Sequence, residues 1–383
     1  MRVIEARNVN DAYRQGIQLV RSEGVLEDSR AGKVLVMQSP VATVYSRPRE
    51  RVLFEPQRAA NPFFHLMESI WMLAGRRDAT WLDQYVSDFS SRFAEDDGNA
   101  HGAYGHRWRN HFQRTTTHQY VDRTVGIPDQ RVVVPIDQLL EAGEILLKNP
   151  TSRQAVISMW DPAVDLGAVK RDVPCNDLIM LRSRRDHIDD CWELDITVLC
   201  RSNDLIWGLA GANAVHMSMV HEVLAQLSGM RTGRYTQFSN NYHAYTDVLD
   251  KVASRTLAPL SEWDTYSRGE VASQPLFYTT QTNSSRDEMA REAQGFLRDC
   301  EAFCTQQHRL PDEPQKFTLG RHQWFEQVAV PMQLTHVCLK SGDSAEAARY
   351  TGRIRATDWR LAADQFIQRR IDRAAKVEEA RSR

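Results

Sequence analysis

The feature that most constrains the fold is a group of three short apolar runs followed by one long helical pattern. Residues 153–160, 176–183 and 192–200 are rich in β-branched and aromatic residues, and the last run alternates apolar and polar side chains. We therefore predict three strands of one sheet. A helix is predicted from about Ala214 to Leu227, and it ends before a Ser-Gly pair. Because strands and helices follow each other irregularly, the pattern favours an α+β fold over regular βαβ winding.

A second buried helix is predicted over residues 62–74. Apolar residues recur there at helical spacing between a proline and Gly75, and Glu68 lies within the stretch. After about residue 250 the composition becomes more polar, and the patterns indicate amphipathic helices. We therefore expect a helical C-terminal part.

The charge balance argues against two broad classes of partner. Lys and Arg total 48 against 50 Asp and Glu, so the chain lacks the bulk attraction of a nucleic-acid or basic membrane-surface protein. No apolar run reaches the roughly 18 residues of a membrane span. The first residues also lack the apolar core of a secretory signal. We expect a cytoplasmic protein with no nucleic-acid partner and no membrane partner.

One of the six cysteines stands in an unusual context. The chain has no CxxC pair, which disfavours both a disulfide framework and a zinc site. Cys175 follows a proline directly before a predicted strand, and Arg201 follows the next strand. Antiparallel pairing would bring the guanidinium to the thiol, lower the thiol pKa and offer a bidentate phosphate ligand. Taken alone, Cys175 also fits an inert buried thiol.

A dense run of polar and aromatic residues covers positions 239–245. His243 and Tyr245 alternate along a predicted strand, so both would face one side, where they suit a sugar hydroxyl. The run also fits the polar edge of a sheet. Asn213 directly precedes the long helix and fits an N-cap.

Together these segments resemble the thymidylate synthase superfamily, which includes the deoxycytidylate and deoxyuridylate hydroxymethylases. The match runs from about residue 28 to about residue 250, with its motifs in family order and spacing. The resemblance implies a thymidylate-synthase-like mixed β-sheet with flanking helices, plus a helical C-terminal extension. It places the catalytic domain in residues 1–250 and a mainly helical extension, packed on that domain, in residues 251–383.

The resemblance also implies roles for individual residues. Glu68 matches the glutamate that organises water and proton transfer at the pyrimidine. Tyr104, in a YG turn, matches the residue placed to abstract the proton at C5, and Cys175 matches the nucleophile. Asp204, in an RSxD motif, completes the catalytic candidates. The implied substrate-binding residues are Arg30, Arg153, Asn176, Arg201, Ser202, Asn213, His243 and Tyr245.

These roles fit the chemistry of a pyrimidine ring. C5 is not nucleophilic, so a thiolate must first add to C6 and create an enolate whose C5 attacks an electrophilic carbon. The resemblance implies 5,10-methylenetetrahydrofolate as donor of that carbon, a pyrimidine nucleotide monophosphate as substrate, and no metal. Arg153 lies where the family reaches across a dimer to the other subunit's phosphate, so a homodimer is implied.

Several positions depart from the synthase pattern. Asn176 stands where synthases have a histidine, and Gln154 replaces the second arginine of the cross-dimer pair. Phe89 and Phe93 lie in a stretch that has no tryptophan before the YG turn, and the ending EEARSR is not the apolar C-terminus that closes a synthase site. Hydride transfer needs a dry, closed site, whereas these departures favour addition of water. We therefore expect 5-hydroxymethylation, as in the phage-type branch.

The base and the competing functions stay open at this point. Asn213 favours uracil because the aspartate of the deoxycytidylate enzymes is missing, although a flipped amide also suits cytosine. One alternative is thymidylate synthase itself, with Phe89 or Phe93 in place of tryptophan. Another is a non-catalytic nucleotide-binding protein, which the retained catalytic candidates argue against. A cysteine hydrolase pairing Cys175 with His243 lacks the surrounding signature.

Overall fold

The computed structural model describes residues 1–29, 31–118, 130–252, 259, 262, 264–306 and 322–381. Within those residues the strands are β1 (Arg2–Ala6), β2 (Val25–Ser29), β3 (Gly32–Val36), β4 (Val41–Tyr45), β5 (Gln113–His118), β6 (Gln130–Pro135), β7 (Val156–Ser158), β8 (Asn176–Asp186), β9 (Cys191–Asp204) and β10 (Arg231–Tyr245).

The α-helices are α1 (Val9–Glu23), α2 (Pro62–Leu73), α3 (Phe89–Phe93), α4 (Tyr104–His106), α5 (Gln138–Lys148), α6 (Pro162–Asp165), α7 (Ala214–Leu227), α8 (Thr246–Val252), α9 (Arg286–Gln306), α10 (Val330–Ser341), α11 (Ser344–Thr351) and α12 (Thr357–Arg381). A 3-10 turn spans Ala79–Gln84, and wider π-type segments span Arg107–His111, Leu205–Asn213 and Phe325–Ala329.

A mixed eight-stranded sheet forms the centre of the molecule. Its strand order is β1-β4-β10-β9-β8-β7, and the β2–β3 hairpin joins it through β3 and β10. β1 pairs with β4 in parallel, β10 pairs with β9 in parallel, and the remaining pairs are antiparallel. Strands β5 and β6 form a separate hairpin. The prediction of an α+β fold with a mixed sheet is confirmed.

The predicted strands and helices occur where the patterns placed them, with some changes of length. The helix from Ala214 to Leu227 has the predicted bounds, and the helix predicted over 62–74 ends at Leu73. Gly75 has a φ of +71°, which suits the glycine that commonly follows a helix end. The run 153–160 contains only the short strand β7, because that stretch pairs with β8 over three residues.

Helix α7 is buried along its whole length and contacts α2, α5, β9 and β10. Its lack of a polar face explains why it occupies the centre of the helical layer instead of its surface. Since α2 is also almost entirely buried, the two helices hold Glu68 and His216 inside the protein. This contact creates the inner wall of the site described below.

The C-terminal helices pack on the part of the chain that carries the sequence motifs. The rings of Phe63 in α2 and Phe366 in α12 lie 5.4 Å apart, edge to face. The indole N–H of Trp81 donates to the carbonyl of Cys304 in α9 at 3.1 Å. One continuous cluster of buried apolar residues includes members from both parts of the chain. Among the described residues, no helix is long and apolar enough to cross a membrane.

Candidate active site

Cys175 lies immediately before β8, where the YG turn fixes its backbone. The hydroxyl of Tyr104 accepts the backbone N–H groups of Cys175 and Asn176, each at 3.2 Å. Burial raises the pKa of the Tyr104 phenol well above its ordinary value, and the neighbouring Cys175 and Cys200 add to the shift. The phenol therefore keeps its proton at neutral pH while it orients the cysteine segment.

The predicted pairing of β8 with β9 brings Arg201 to Cys175. The guanidinium Nη2 lies 3.9 Å from the cysteine sulfur, and Nε donates to the carbonyl of Pro174 at 2.8 Å. Nη2 also donates to the carbonyl of Val173 at 3.1 Å. Arg201 is exposed, so it can meet an anion from solvent while these contacts hold it beside the thiol.

Burial affects the thiol chemistry of all the other five cysteines. Burial is the largest cause that raises the pKa of each of them: Cys191, Cys200, Cys300, Cys304 and Cys338. A thiol with a raised pKa is a poor nucleophile at neutral pH. Their positions are therefore typical of structural cysteines.

Parallel pairing of β9 with β10 brings the RSxD and HxY motifs side by side. Ser202 is opposite Asn241 in the register, and Asp204 is opposite His243. The rings of His243 and Tyr245 lie 5.5 Å apart, which places both on one side of β10 as predicted. The Oδ1 atom of Asn241 lies 2.8 Å from Nδ1 of His243, a contact that orients the imidazole.

Asp204 begins the π-type segment that follows β9. Its Oδ1 accepts the backbone N–H groups of Ile206 and Trp207, so the carboxylate acts as a helix cap. Its Oδ2 is buried and has no hydrogen-bond partner among the described residues. Burial raises the pKa of this carboxyl. An unpartnered buried acceptor next to His243 suits a ligand group that can donate a hydrogen bond.

Asn213 and Asn176 belong to a buried chain of side-chain amides. Asn176 Nδ2 donates to Asn213 Oδ1 at 3.0 Å, and Asn213 Nδ2 donates to Asn203 Oδ1 at 3.2 Å. Gln237 donates to Asn176 at 3.1 Å, and Asn203 donates to Ser239 at 2.9 Å. Asn213 makes no side-chain cap bond to the helix that follows it. Its amide is therefore held by the network, and the N-cap interpretation does not apply.

The two ends of this amide chain are hydroxyl groups. Ser239 forms one end, and Tyr235 forms the other by donating to Gln237. A hydroxyl can donate or accept, so the amides could all reverse together, but one cannot flip alone without losing hydrogen bonds. The network therefore couples the orientation of Asn213 to that of its neighbours.

A cavity of about 190 Å³ lies beside these residues. Its lining includes Glu68, Tyr104, Asp172, Asn213 and His216, together with the rings of Trp71, Phe89 and Phe93. Nε2 of His216 lies 3.1 Å from Oε2 of Glu68. Among the described residues neither atom has a hydrogen-bond partner, because the angles between them are unsuitable. The two side chains are in close contact and both line the cavity, where water or a ligand can reach them.

The structure adds two residues that the sequence analysis missed. His216 lies one turn into α7, and Asp172 lies three residues before Cys175. Asp172 accepts the backbone N–H of Gly102 at 3.1 Å. Burial raises the pKa of its carboxyl to about 6. The nearness of Asp172 to Cys175 in the sequence was the one signal that could have found it.

One predicted substrate ligand, Arg153, is not brought to this cavity. Arg153 is exposed in the segment that precedes β7, and no contact of its side chain is recorded within the described part of the chain. Arg30 lies outside the described residues. Of the other predicted site residues, Glu68, Tyr104 and Asn213 line the cavity. The rest lie at or beside the adjoining ends of β8, β9 and β10.

Comparison with known proteins shows the family of this chain. The thymidylate synthase family model matches residues 11–262. A deoxyuridylate hydroxymethyltransferase of Pseudomonas phage M6 is 37% identical over 97% of this chain and 95% of its own length. A protein of the same name from Bacillus phage SP01 is 32% identical over 61% of this chain and 56% of its own length.

A more distant similarity joins the chain to a bacterial enzyme. The thymidylate synthase of Corynebacterium aurimucosum is 24% identical over 64% of this chain and 82% of its own length. The resemblance stated from the motifs is confirmed by the family model and by the phage relatives. The chain belongs to the thymidylate synthase family.

Proposed function

We propose that this protein transfers a one-carbon unit from 5,10-methylenetetrahydrofolate to C5 of deoxyuridylate and forms the 5-hydroxymethyl product. The observation that carries the proposal is the alignment of 97% of the chain with a deoxyuridylate hydroxymethyltransferase. The similarity to a thymidylate synthase covers 64% of the chain. The geometry around Cys175 supports the same chemistry.

Cys175 is the proposed nucleophile for C6 of the pyrimidine. Arg201 lies 3.9 Å from the sulfur, and its positive charge stabilises the thiolate that must form before attack. The exposed side of the same guanidinium is available to the 5'-phosphate. The Tyr104 hydroxyl holds the Cys175 segment by accepting two backbone hydrogen bonds. Because the phenol is protonated, it can accept a proton from the substrate only if it gives up its own proton at the same time.

Asn213 is the proposed contact for the base edge. Its amide has one oxygen lone pair and one N–H beyond those used in the network, which can accept from N3–H and donate to O4 of uracil. Glu68 and His216 supply the nearby groups that exchange protons with the ring through water. His243 and Tyr245, whose rings lie 5.5 Å apart, are the proposed contacts for the 3'-hydroxyl.

The cavity residues fit a folate. Trp71, Phe89 and Phe93 offer aromatic surface for a flat heterocycle, and the rings of Phe89 and Phe93 lie 4.8 Å apart. The Oε2 atom of Glu68, which lines this cavity, can accept a hydrogen bond from a ring N–H group. When bound, the cofactor supplies an electrophilic carbon at the oxidation level of formaldehyde. The protein residues bind and orient the pterin and control the access of water.

The product depends on what reaches the exocyclic carbon after the folate leaves. Phe93 is 38% exposed at the cavity. Water can therefore enter the cavity beside Phe93, along a path that a larger, buried aromatic side chain would block. This openness supports hydroxymethylation over methylation.

We also infer a homodimer in which the two sites share residues. One face of the sheet carries a row of partly exposed apolar side chains on neighbouring strands. The row consists of Phe238 on β10, Leu199 on β9 and Leu178 on β8, which are paired in the register. Met180 on the same face is 38% exposed. An apolar sheet face of this kind is typical of a protein interface. Arg153 lies near the β7 edge of that sheet, where it can reach a second subunit.

The testing experiment supplies the protein with methylenetetrahydrofolate and each of dUMP, dCMP, UMP and CMP. We expect 5-hydroxymethyl-dUMP by mass spectrometry and one equivalent of tetrahydrofolate. Thymidylate with stoichiometric dihydrofolate would replace the proposal with thymidylate synthase activity. Preferred use of dCMP would overturn the assignment of the base, and a complete lack of product would support a non-catalytic protein.

A further inference from the structure

Asp172 brings a second carboxylate to the cavity that contains Glu68. It shares a four-residue segment with Cys175, so the proposed nucleophile and this carboxylate are held by one short stretch of backbone. Its side chain lines the cavity together with Phe89, Phe93 and Glu68. Asp172 is therefore close to the sulfur along the chain, and it also faces the space assigned to the folate.

The position of Asp172 depends on close packing against the YG turn. A Cβ added to Gly102 would lie 2.9 Å from Asp172 Oδ2 and 2.9 Å from the backbone nitrogen of Pro174. Only glycine leaves room for this contact, in which the Gly102 N–H binds Oδ2. Among the described residues, no other hydrogen-bond donor to this carboxylate is recorded. Oδ1 is available to a water molecule in the cavity.

Several charged or titratable groups surround Asp172. Burial is the main cause that raises its pKa to about 6, and the charge of Glu68 on α2 acts in the same direction. His101 and Arg107 near the YG turn oppose the shift, as does the hydrogen bond from Gly102. His216 of α7 lines the same cavity. At neutral pH the carboxylate is ionised but is more basic than an exposed aspartate, which suits a general base.

Glu68 is less suited to act on a water at the folate side. It lies in contact with His216, which places it in the group that exchanges protons with the pyrimidine. Asp172 lies in the segment between α6 and β8, and within the described part of the chain it forms no ion pair with a histidine. Two proton transfers at different atoms of the substrate are best served by two separate groups.

We propose that Asp172 is the base that takes a proton from the water adding to the exocyclic carbon of the bound pyrimidine. The inference rests on the proposed hydroxymethyltransferase function. The water oxygen forms the new C–O bond, its proton passes to the Asp172 carboxylate, and the exocyclic π pair moves into the ring to form an enolate. When the enolate collapses, C5=C6 reforms and the Cys175 thiolate leaves C6. No oxidant or reductant is needed.

The test compares Asp172→Asn with Asp96→Asn as a matched loss of one carboxylate on the exposed surface. Each variant receives methylenetetrahydrofolate and dUMP tritiated at C5. Release of tritium reports the steps before water addition, and 5-hydroxymethyl-dUMP reports the step itself. Added 2-mercaptoethanol traps any exocyclic methylene that water fails to attack, because a thiol needs no base at that carbon.

For Asp172→Asn we expect hydroxymethyl product to form about 100-fold more slowly. Tritium release should stay within about threefold of wild type, and the thiol-trapped nucleotide should increase. In the wild type, the rate of water addition should fall as the pH drops through about 6, the pKa of Asp172. The amide variant should lose that dependence, because its side chain does not titrate. Asp96→Asn should match the wild type throughout.

Two results would overturn the inference. If Asp172→Asn slowed tritium release and product formation equally, Asp172 would act in an earlier step or only stabilise the structure. If the rate of product formation were unchanged, Asp172 would have no role in the reaction. Failure of the proposed function is a separate result, because the wild type itself would then yield thymidylate or no product.

Discussion

The guanidinium Nη2 of Arg201 lies 3.9 Å from the sulfur of Cys175, although 25 residues separate them in the chain. Antiparallel pairing of β8 with β9 creates this contact, since the backbone N–H of Arg201 also donates to the carbonyl of Cys175 at 2.9 Å. A fixed positive charge beside a thiol favours the thiolate. The proposed nucleophile and the charge beside it are thus brought together by one strand pair.

Replacing Cys175 by serine should abolish turnover, because a hydroxyl cannot add to C6 as the thiolate does. We expect a loss of more than about 1000-fold in product formation, with dUMP affinity within about threefold of wild type by calorimetry. Cys338→Ser, at a partly exposed thiol in α10, is the matched control and should retain full activity. Substantial turnover by the Cys175 variant would refute covalent catalysis by this residue.

Mixing two inactive variants tests the shared site. Arg153→Ala removes the arginine that we propose to reach the partner subunit, and Cys175→Ala removes the proposed nucleophile. Their heterodimer should contain one intact site, so activity should return to about a quarter of wild type if subunits exchange at random. Exchange is verified by native mass spectrometry. Exchange without recovered activity would argue against a contribution of Arg153 across the interface.

Asn213→Asp should change the preferred base from uracil to cytosine. A carboxylate can accept a hydrogen bond from the N4 amino group of cytosine, but it repels the O4 acceptor of uracil. The variant also requires Asn203 to reverse its amide, which the hydroxyl of Ser239 permits by donating instead of accepting. We expect the ratio of kcat/KM for dUMP to that for dCMP to fall by about 100-fold. Equal losses for both nucleotides would show that Asn213 does not select the base.

Gly105→Ala should destabilise the protein strongly. An added Cβ would lie 1.9 Å from the carbonyl oxygen of Met72, at the end of the helix that carries Glu68. Since backbone must move, we expect a loss of about 3 kcal/mol in the free energy of unfolding, measured in urea. The matched control is Gly295→Ala in α9, where the nearest atom is 3.8 Å away. That change should stabilise the helix by about 0.5–1 kcal/mol. Similar stabilities for the two variants would contradict the packing argument.

Local patterns determined much of the fold. The bounds of α7, the position of Glu68 within α2 and the strand that begins just after Cys175 were all predicted from the sequence. Helical and strand periodicity are encoded by neighbouring residues, so a single chain is enough to find them. The family motifs indicated which of these helices and strands carry candidate site residues.

Only the tertiary structure decided how those elements meet. The amide chain through Asn176, Asn213 and Asn203 joins β8, β9 and the segment before α7, and its existence depends on a register that no local pattern contains. His216 and Asp172 were missed for the same reason, since each lies in an ordinary local context. Burial and neighbouring charge give a side chain its chemistry, and both arise from contacts between residues distant in the sequence.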